Sequence, residues 1–160
     1  MRLVALADTH IPDRCIEIPD AVSKELKKAD LIVHAGDFTS FEYFKYIRSL
    51  KPLKAALGNL DAPDLRELLK EREVFTIQKF KIGVMHGFGS AENVLQNIRR
   101  SFDNSFDLVI FGHTHNGFKE TIGKTIFFNP GSPTDKIFTT HNSYGIIEIQ
   151  DTIEATLVRL

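Results

Sequence analysis

The stretch Phe106-Asp107-Leu108-Val109-Ile110-Phe111-Gly112-His113-Thr114-His115 decides the architecture of this chain. Its aliphatic and β-branched run predicts a buried strand, and the glycine that follows predicts a turn. Two histidines separated by one residue lie directly behind that strand, where both imidazoles can point into the same space. A histidine pair is a weak indication of a site by itself, so its meaning depends on the rest of the chain.

Four other short apolar runs also end in residues that can bind a metal. The runs that end at Ala7, Ala35, Leu57 and Met85 are followed by Asp8 and His10, by Asp37, by Asn59 and by His86. In open α/β sheets, ligands bind outside the carboxyl ends of the strands, where the loops converge. We therefore expect seven candidate ligands to meet at one edge of the sheet, namely Asp8, His10, Asp37, Asn59, His86, His113 and His115.

Length and composition predict one globular domain over residues 1–160, since 42% of the residues are hydrophobic and 26% are charged. The net charge is −1 and no block of like charges occurs, so we expect neither long nucleic acid nor a membrane as partner. The single cysteine, Cys15, excludes an intrachain disulfide and fits a cytoplasmic location. The apolar start at residues 3–7 is too short for a signal peptide or a membrane span. The sequence leaves a homo-oligomer open.

The first half of the chain predicts alternating strands and helices. Strands are expected over 2–7, 31–35 and 53–57, and helices over 20–28, 40–50 and 64–70. This alternation is typical of a parallel sheet with helices on its faces.

The second half is richer in strands and largely antiparallel. Strands are expected over 74–78, 80–85, 108–111, 118–122, 125–129, 144–149 and 153–158, with a helix over 91–102. Short turns around Gly123 and Asp151 are typical of hairpins. Both halves together predict an α/β fold in which two mixed sheets pack together with helices outside.

The candidate ligands supply nitrogen and oxygen donors and no thiolate. Such a set suits manganese, nickel, iron, cobalt or zinc alike, and not a sulphur-bound structural zinc. We expect manganese first. Seven donors exceed the needs of one tetrahedral ion and suit two ions that share a carboxylate. Two divalent ions ~4 Å apart can turn a bridging water into hydroxide and hold it in line with a phosphorus atom. The residues alone therefore predict phosphoester hydrolysis.

The order of these motifs resembles the signature of the calcineurin-like metallophosphoesterases. The matching segments are Asp8-x-His10, Gly36-Asp37, Gly58-Asn59, His86-Gly87 and Gly112-His113-Thr114-His115. The short length and the turn Asn129-Pro130-Gly131-Ser132 resemble the small single-domain branch, the YfcE-like phosphodiesterases. The resemblance runs to about Ser132 and implies a four-layer αββα sandwich.

The resemblance also implies roles for the candidate ligands. It assigns Asp8, His10 and His115 to one ion, assigns Asn59, His86 and His113 to the other, and makes Asp37 the bridge. By the same resemblance, Asp37, Asn59 and His86 act directly in catalysis.

One position departs from the superfamily pattern. Many members carry a histidine directly after the metal-binding asparagine, where it contacts phosphate and protonates the leaving oxygen, whereas this chain has Leu60. General acid catalysis contributes typically ~100- to 10,000-fold. We therefore expect hydrolysis of small or nucleotide-like phosphodiesters, fastest with aryl leaving groups and weak on alkyl monoesters. His34 and Asp61 are candidates for a substitute acid, although a packed side chain is the preferred interpretation of His34.

Several alternatives stay open at this point. The chain could be a metal-binding interaction scaffold with little activity, as the retromer subunit of this superfamily is, although all seven ligand types are present. A nuclease is a weaker alternative, because the charge balance does not favour long nucleic acids. Asn59 could be a turn residue, and Asp8 and Asp37 could be caps. A solvated surface residue is the preferred interpretation of Arg14, and Phe88 is interpreted as a pocket wall or a core residue.

Overall fold

A computed structural model describes residues 1–160 and contains ten strands and three α-helices. The strands are β1 (Arg2–Leu6), β2 (Leu31–His34), β3 (Leu53–Ala55), β4 (Arg72–Ile77), β5 (Phe80–Met85), β6 (Leu108–Phe111), β7 (Phe118–Ile122), β8 (Thr125–Asn129), β9 (Ser143–Ile149) and β10 (Ile153–Arg159). The helices are α1 (Asp20–Lys28), α2 (Phe41–Leu50) and α3 (Val94–Ser101).

The strands form two five-stranded mixed sheets. The first has the order β10-β9-β1-β2-β3 and the second has the order β4-β5-β6-β8-β7. Strands β1, β2 and β3 are parallel to one another, as are β5, β6 and β8, while the outer pairs are antiparallel. The two predicted hairpins, β7-β8 and β9-β10, are confirmed. The sequence predicts a largely antiparallel second half. This is only partly right, because β5, β6 and β8 at the centre of the second sheet are parallel.

The two sheets enclose an apolar layer. Alternate residues of β1 face opposite sides, so Leu3 and Ala5 pack between the sheets while Val4 and Leu6 face the helices. From the second sheet, Ile82, Leu108 and Phe128 are among the residues that complete the layer between the sheets. This stacking of inner faces is the usual solution for two amphipathic sheets.

Helices cover both outer faces. Buried residues of α1 and α2, including Leu26 and Ile47, pack on the first sheet, and the α3 residues Val94 and Ile98 pack on the second. The side chain of Ser40 begins α2 by accepting a hydrogen bond from the Tyr43 amide. The four-layer αββα sandwich is therefore confirmed. None of the helices is long and apolar enough to cross a membrane.

The helix predicted over 64–70 is wrong. The chain forms only a short 3-10 helix at Pro63–Leu65, and by residue 70 it lies alongside β3 in a parallel bridge between Ala56 and Lys70. The Leu69 amide still donates to the Leu65 carbonyl at 2.8 Å, so a single turn forms, but the bridge to Ala56 takes the next residue out of any helix. The helix predicted from residue 91 begins at Val94, after a turn in which the Ser90 carbonyl accepts from the amides of Asn93 and Val94.

The contact between Gly145 of β9 and the buried ring of Phe128 provides a test of the packing between the sheets. A Cβ at Gly145 would lie 2.3 Å from Phe128 Cε1, so we expect Gly145→Ala to lower the free energy of unfolding by about 1–3 kcal/mol. Phe128→Leu removes the clash, so the double variant should lose less stability than the two single variants together. Urea unfolding of all four proteins measures this coupling, and additive losses would contradict the contact.

Candidate metal centre

All seven predicted ligands lie together at one end of the sandwich. Three strands of the first sheet and two strands of the second end there, and the loops that follow them carry Asp8, His10, Asp37, Asn59, His86, His113 and His115. The predicted convergence is therefore observed. The expectation of a single sheet edge is wrong, because the loops come from both sheets and meet above the gap between them.

Four of these side chains form a buried set. Ligand atoms of Asp8, His10, Asp37 and His115 all lie within 4.8 Å of one another. His10 Nε2 lies 3.3 Å from His115 Nε2 and 3.4 Å from Asp37 Oδ2, and Asp8 Oδ1 lies 3.5 Å from His115 Nε2. Small side-chain movements would close this set on one ion.

The remaining three side chains form a second, more open set. Asn59 Oδ1 lies 2.9 Å from His86 Nε2 and 3.2 Å from His113 Nδ1, and the two histidine nitrogens are 3.4 Å apart. His86 is buried, whereas His113 is half-buried and Asn59 is exposed. A ligand that arrives from solvent therefore meets this set first.

Asp37 belongs to both sets through a single oxygen. Its Oδ2 lies 3.4 Å from His10 Nε2 on one side and 3.5 Å from His86 Nε2 on the other. Its Oδ1 accepts a hydrogen bond from the Leu60 amide at 2.8 Å, which fixes the carboxylate plane. This geometry is what a carboxylate needs in order to be shared by two ions.

Three of the histidines are held by hydrogen bonds at the nitrogen that faces away from the site. His86 Nδ1 donates to the Ala35 carbonyl at 2.7 Å, and His113 Nε2 donates to the Gly89 carbonyl at 2.9 Å. His115 Nδ1 donates to Asp135 Oδ2 at 2.8 Å. Because the outer nitrogen carries the proton in each neutral ring, the inner nitrogen presents a lone pair to the site, as metal-binding histidines do.

The donors fit a bound cation. Lone pairs of His86 and His113 point at each other and at the Asn59 oxygen, an arrangement that is repulsive unless a positive charge lies between them. Burial lowers the pKa of His86 and lowers that of His10 to about 4, so these rings are neutral at pH 7. Burial and the nearby Asp37 raise the pKa of Asp8 well above its ordinary value. Divalent ions would neutralise these carboxylates and separate the lone pairs.

The backbone around the site is held in an unusual conformation. Five of the seven candidate ligands have left-handed φ angles, which are 52° for Asp8, 43° for His10, 66° for Asp37, 72° for His113 and 59° for His115. Only one other non-glycine residue, Gln78, has a positive φ. Each such residue stores on the order of 1–3 kcal/mol, so the fold holds these loops in conformations that the chain does not prefer.

Close approach of the loops depends on two glycines. A Cβ at Gly58 would lie 2.2 Å from the Asp37 amide nitrogen and 2.3 Å from Asp37 Oδ1. A Cβ at Gly112 would lie 2.8 Å from Ala7 Cβ and 3.0 Å from Asp8 Oδ2. Glycine at position 58 lets the loops after the neighbouring strands β2 and β3 lie against each other, and glycine at position 112 does the same for the loops after β1 and β6 of the two sheets.

Sequence reasoning missed Asp135, which supports the site from behind. This carboxylate is buried and binds His115, while its Oδ1 accepts from Arg14 Nη1 at 2.7 Å and its Oδ2 accepts from the Phe138 amide at 2.8 Å. Burial alone would raise its pKa, but the hydrogen bonds from His115, Phe138 and Arg14 lower the pKa to about 2. The only signal in the sequence is an aspartate three residues after Ser132, which nothing links to His115.

The turn Asn129-Pro130-Gly131-Ser132 braces the same loops. Asn129 Nδ2 donates to the Gly112 carbonyl and to Thr114 Oγ1, both at 3.0 Å. Ser132 Oγ donates to the Asp8 carbonyl at 2.7 Å. The segment thus fixes the backbone on both sides of the buried set without lining the cleft.

The two candidates for a substitute acid, His34 and Asp61, are both buried. His34 is fully buried, stacks on Phe38 with ring centroids 3.6 Å apart, and lies with Nε2 3.1 Å from Thr9 Oγ1. Burial raises the pKa of Asp61 to about 6, and its two oxygens accept from the amides of Phe38 and Gly58. The packed interpretation of His34 is therefore confirmed, and Asp61 joins the loops that follow β2 and β3.

Two surface clefts adjoin the site and share Asn59. One, of about 430 Å³, is lined by Arg14, Asp37, Asn59, Leu60, Ala91, His113, Thr114, His115, Asn116 and Phe138. The other, of about 550 Å³, is lined by Leu57, Gly58, Asn59, Arg66, Glu71, Met85, His86, Gly87 and Phe88. Phe88 is half exposed, so it is a cleft wall and not a core residue. The solvated interpretation of Arg14 is wrong, because its guanidinium is paired with Asp135.

Two known proteins are similar to this chain in sequence. A probable metallophosphoesterase of Methanothermobacter thermautotrophicus is 36% identical over 135 residues, covering 84% of this chain and 78% of the relative. A probable metallophosphoesterase of Methanocaldococcus jannaschii is 32% identical over 161 residues, covering 99% of this chain and 81% of the relative.

Solved structures show the same fold. The zinc complex of wild-type Vps29 from Entamoeba histolytica has a TM-score of 0.75 and 26% identity, and a Thermotoga maritima protein has a TM-score of 0.77 and 25% identity. Each comparison covers 99% of both chains. The sequence model of the calcineurin-like phosphoesterase superfamily domain matches residues 1–152. The chain therefore belongs to the calcineurin-like phosphoesterase superfamily.

Proposed function

We propose that this protein is a dinuclear metal-dependent phosphodiesterase. The observation that carries the proposal is the position of Asp37 Oδ2, which lies 3.4 Å from His10 Nε2 and 3.5 Å from His86 Nε2 and so faces both donor sets. Membership of the superfamily supports a metal-dependent phosphoester hydrolase in general. We further infer that two ions bind, that the substrate is a diester and that the protein is cytoplasmic. The half-buried Cys15, which forms no disulfide, fits that location.

The residues divide into two ligand groups and one bridge. Asp8, His10 and His115 would hold one ion, Asn59, His86 and His113 would hold the other, and Asp37 would be shared. Bound divalent ions would supply positive charge for the phosphate and an acidified water as nucleophile. We favour manganese. The same nitrogen and oxygen donors would also accept nickel, iron, cobalt or zinc.

The protein groups contribute placement and exclusion of water. Hydrogen bonds to Ala35, Gly89 and Asp135 hold three imidazoles in fixed orientations before any substrate binds. Such preorganised groups do not have to reorganise during the reaction, which is a main source of catalytic power. The exposed Asn59 side chain, at the junction of the two clefts, is placed to contact the phosphate of a bound substrate.

Three features favour diesters over monoesters. Leu60 lines the cleft and is 52% exposed, so the position next to Asn59 offers no proton to a leaving alkoxide. Arg14 is already paired with Asp135 and adds no free positive charge for a phosphate dianion. Two clefts meet at Asn59, which provides space for two ester substituents on one phosphate. The substrate is thus a small phosphodiester with a good leaving group.

A scaffold function is the second candidate. Large apolar side chains beside the site are exposed, including Phe88 at 50% and Phe138 at 60%, and such surfaces can bind proteins as well as substrates. Vps29, whose solved structures share this fold, is the relevant comparison. Two ions per chain without turnover of any ester would favour this candidate.

Replacement of the shared carboxylate tests the proposal directly. We expect about two manganese ions per wild-type chain and hydrolysis of bis(4-nitrophenyl) phosphate that depends on manganese. Asp37→Asn should weaken binding of both ions and reduce turnover at least about 100-fold, because it removes the negative charge between them. Metal analysis and initial rates measure these effects. Asp151→Asn, on the distant β9-β10 turn, is the matched control, and an active Asp37→Asn protein would contradict the proposal.

The hydrogen bond from His115 to Asp135 makes a more selective prediction. Asp135→Asn keeps the size of the side chain but removes its charge, so His115 loses its oriented acceptor. We expect about 10- to 100-fold weaker affinity for one of the two ions, the one bound through His115. Calorimetric titration of the apoprotein with manganese would show this as a change in one binding step. Loss of both steps, or of neither, would show that Asp135 does not act through His115.

Position 60 determines which leaving groups are accepted. Wild-type protein should hydrolyse an aryl diester faster than an alkyl monoester with manganese present. Leu60→His should raise the rate on the alkyl ester by up to about 100-fold and change the aryl rate much less, since aryl oxides need no proton. Leu60→Asn serves as a control, because its side chain is polar but cannot transfer a proton to the leaving group at neutral pH. Faster alkyl monoester turnover by the wild type would refute the diester specificity.

A further inference from the structure

The cleft above the candidate metal centre has a phenylalanine in its wall. Phe138 is 60% exposed and lines the same cleft as Asp37, His113 and His115. Its neighbour Ile137 is 72% exposed but does not line that cleft. A single exposed apolar side chain is common on protein surfaces, so the meaning of Phe138 depends on its position in the wall of this cleft and on how it is held there.

The Phe138 ring is held from the protein side by three contacts. Its amide donates to Asp135 Oδ2 at 2.8 Å, which anchors the backbone. The Arg14 guanidinium carbon lies over the ring, 4.8 Å from its centroid, and Arg14 is itself fixed by the ion pair with buried Asp135. The His115 ring meets it edge-on, with centroids 5.5 Å apart at 87°. The exposed part of the ring is therefore presented to the cleft by a rigid support.

We propose that Phe138 is a stacking platform for a planar aromatic group of the substrate, so that the site selects phosphodiesters with an aryl or nucleobase substituent. The inference rests on the proposed function, because the phosphate has to lie at the candidate metal centre for its substituent to reach Phe138. His115 is a candidate metal ligand, and its ring is in direct contact with the Phe138 ring. A phosphate bound beside His115 thus carries its ester group directly to the exposed ring.

An aromatic occupant fits this surface better than an aliphatic one. The Arg14 guanidinium lies over the Phe138 ring, and the 60% exposure of Phe138 leaves ring surface free for a planar ligand. Aromatic rings prefer such offset or edge contacts at centroid distances of about 4.5–7 Å. The apolar side chain of Leu60 lines the same cleft and adds to its apolar surface.

Binding of phosphate monoesters, which are the products of diester hydrolysis, isolates the platform from the chemistry. We compare phenyl phosphate and adenosine 5′-monophosphate with methyl phosphate and ribose 5-phosphate, which present the same phosphate without the aromatic group. Calorimetry on the full manganese-loaded chain should show the aromatic member of each pair binding on the order of tenfold more tightly. An advantage confined to phenyl phosphate assigns an aryl ester, and an advantage for the adenosine compound assigns a nucleobase.

Variants at two neighbouring exposed positions complete the test. Phe138→Ala should abolish the aromatic advantage, Phe138→Leu should abolish most of it although apolar bulk remains, and Ile137→Ala should keep it. In turnover of bis(4-nitrophenyl) phosphate, Phe138→Ala should raise KM and leave kcat nearly unchanged. Because these side chains are exposed, the melting temperature should not change, and measuring it checks the fold.

The outcomes separate this inference from the proposed function. Equal binding of aromatic and non-aromatic phosphates by the wild type, or an unchanged advantage in Phe138→Ala, overturns the platform while the phosphoesterase survives. Failure of all four phosphates to bind in the presence of manganese, together with no manganese-dependent hydrolysis of bis(4-nitrophenyl) phosphate by the wild type, overturns both.

Discussion

The rest of the structure serves to hold seven potential metal ligands close together at one end of the sandwich. Two buried carboxylates and four imidazoles are packed together, with ring nitrogens of His10 and His115 3.3 Å apart and those of His86 and His113 3.4 Å apart. Burial of carboxylates is unfavourable, and five left-handed backbone conformations add to the cost. The two sheets, the bracing turn at residues 129–132 and the carboxylate of Asp135 together hold the donors in place, and cations relieve the repulsion that results.

The sequence was sufficient to predict most of the fold and the identity of the gathered side chains. Each apolar run is short, β-branched or aliphatic, and ends directly in a polar residue such as Asp37 or His86, so local patterning and the convergence of strand ends act in the same direction. The helix over 64–70 was wrong because leucine spacing does not reveal that Lys70 bridges to Ala56. A tertiary contact decided that segment, and local propensity did not.

Two other features could not be read from the sequence for the same reason. The division of the strands into two sheets depends on pairings between distant segments, such as β1 with β9. The role of Asp135 depends on contacts with Arg14, 121 positions earlier, and with His115, 20 positions earlier. Nothing in the local pattern around residue 135 distinguishes this aspartate from a turn residue. Groups that orient the ligands are thus harder to predict than the ligands, because they need no fixed place relative to a strand.

The position of β1 has a consequence for the order in which the protein folds. This first strand lies between β2 and β9, and the N-terminal amine of Met1 donates to the carbonyl of Ile149. The strand that leads into Asp8 therefore gains its second neighbour only when β9, where Glu148 pairs with Arg2, has joined the sheet. Such long-range pairings form slowly, so the loop that carries Asp8 is braced late in folding. The candidate ligands are spread from Asp8 to His115 along the sequence and come together only in the folded domain, so the complete set is available to a cation only after folding.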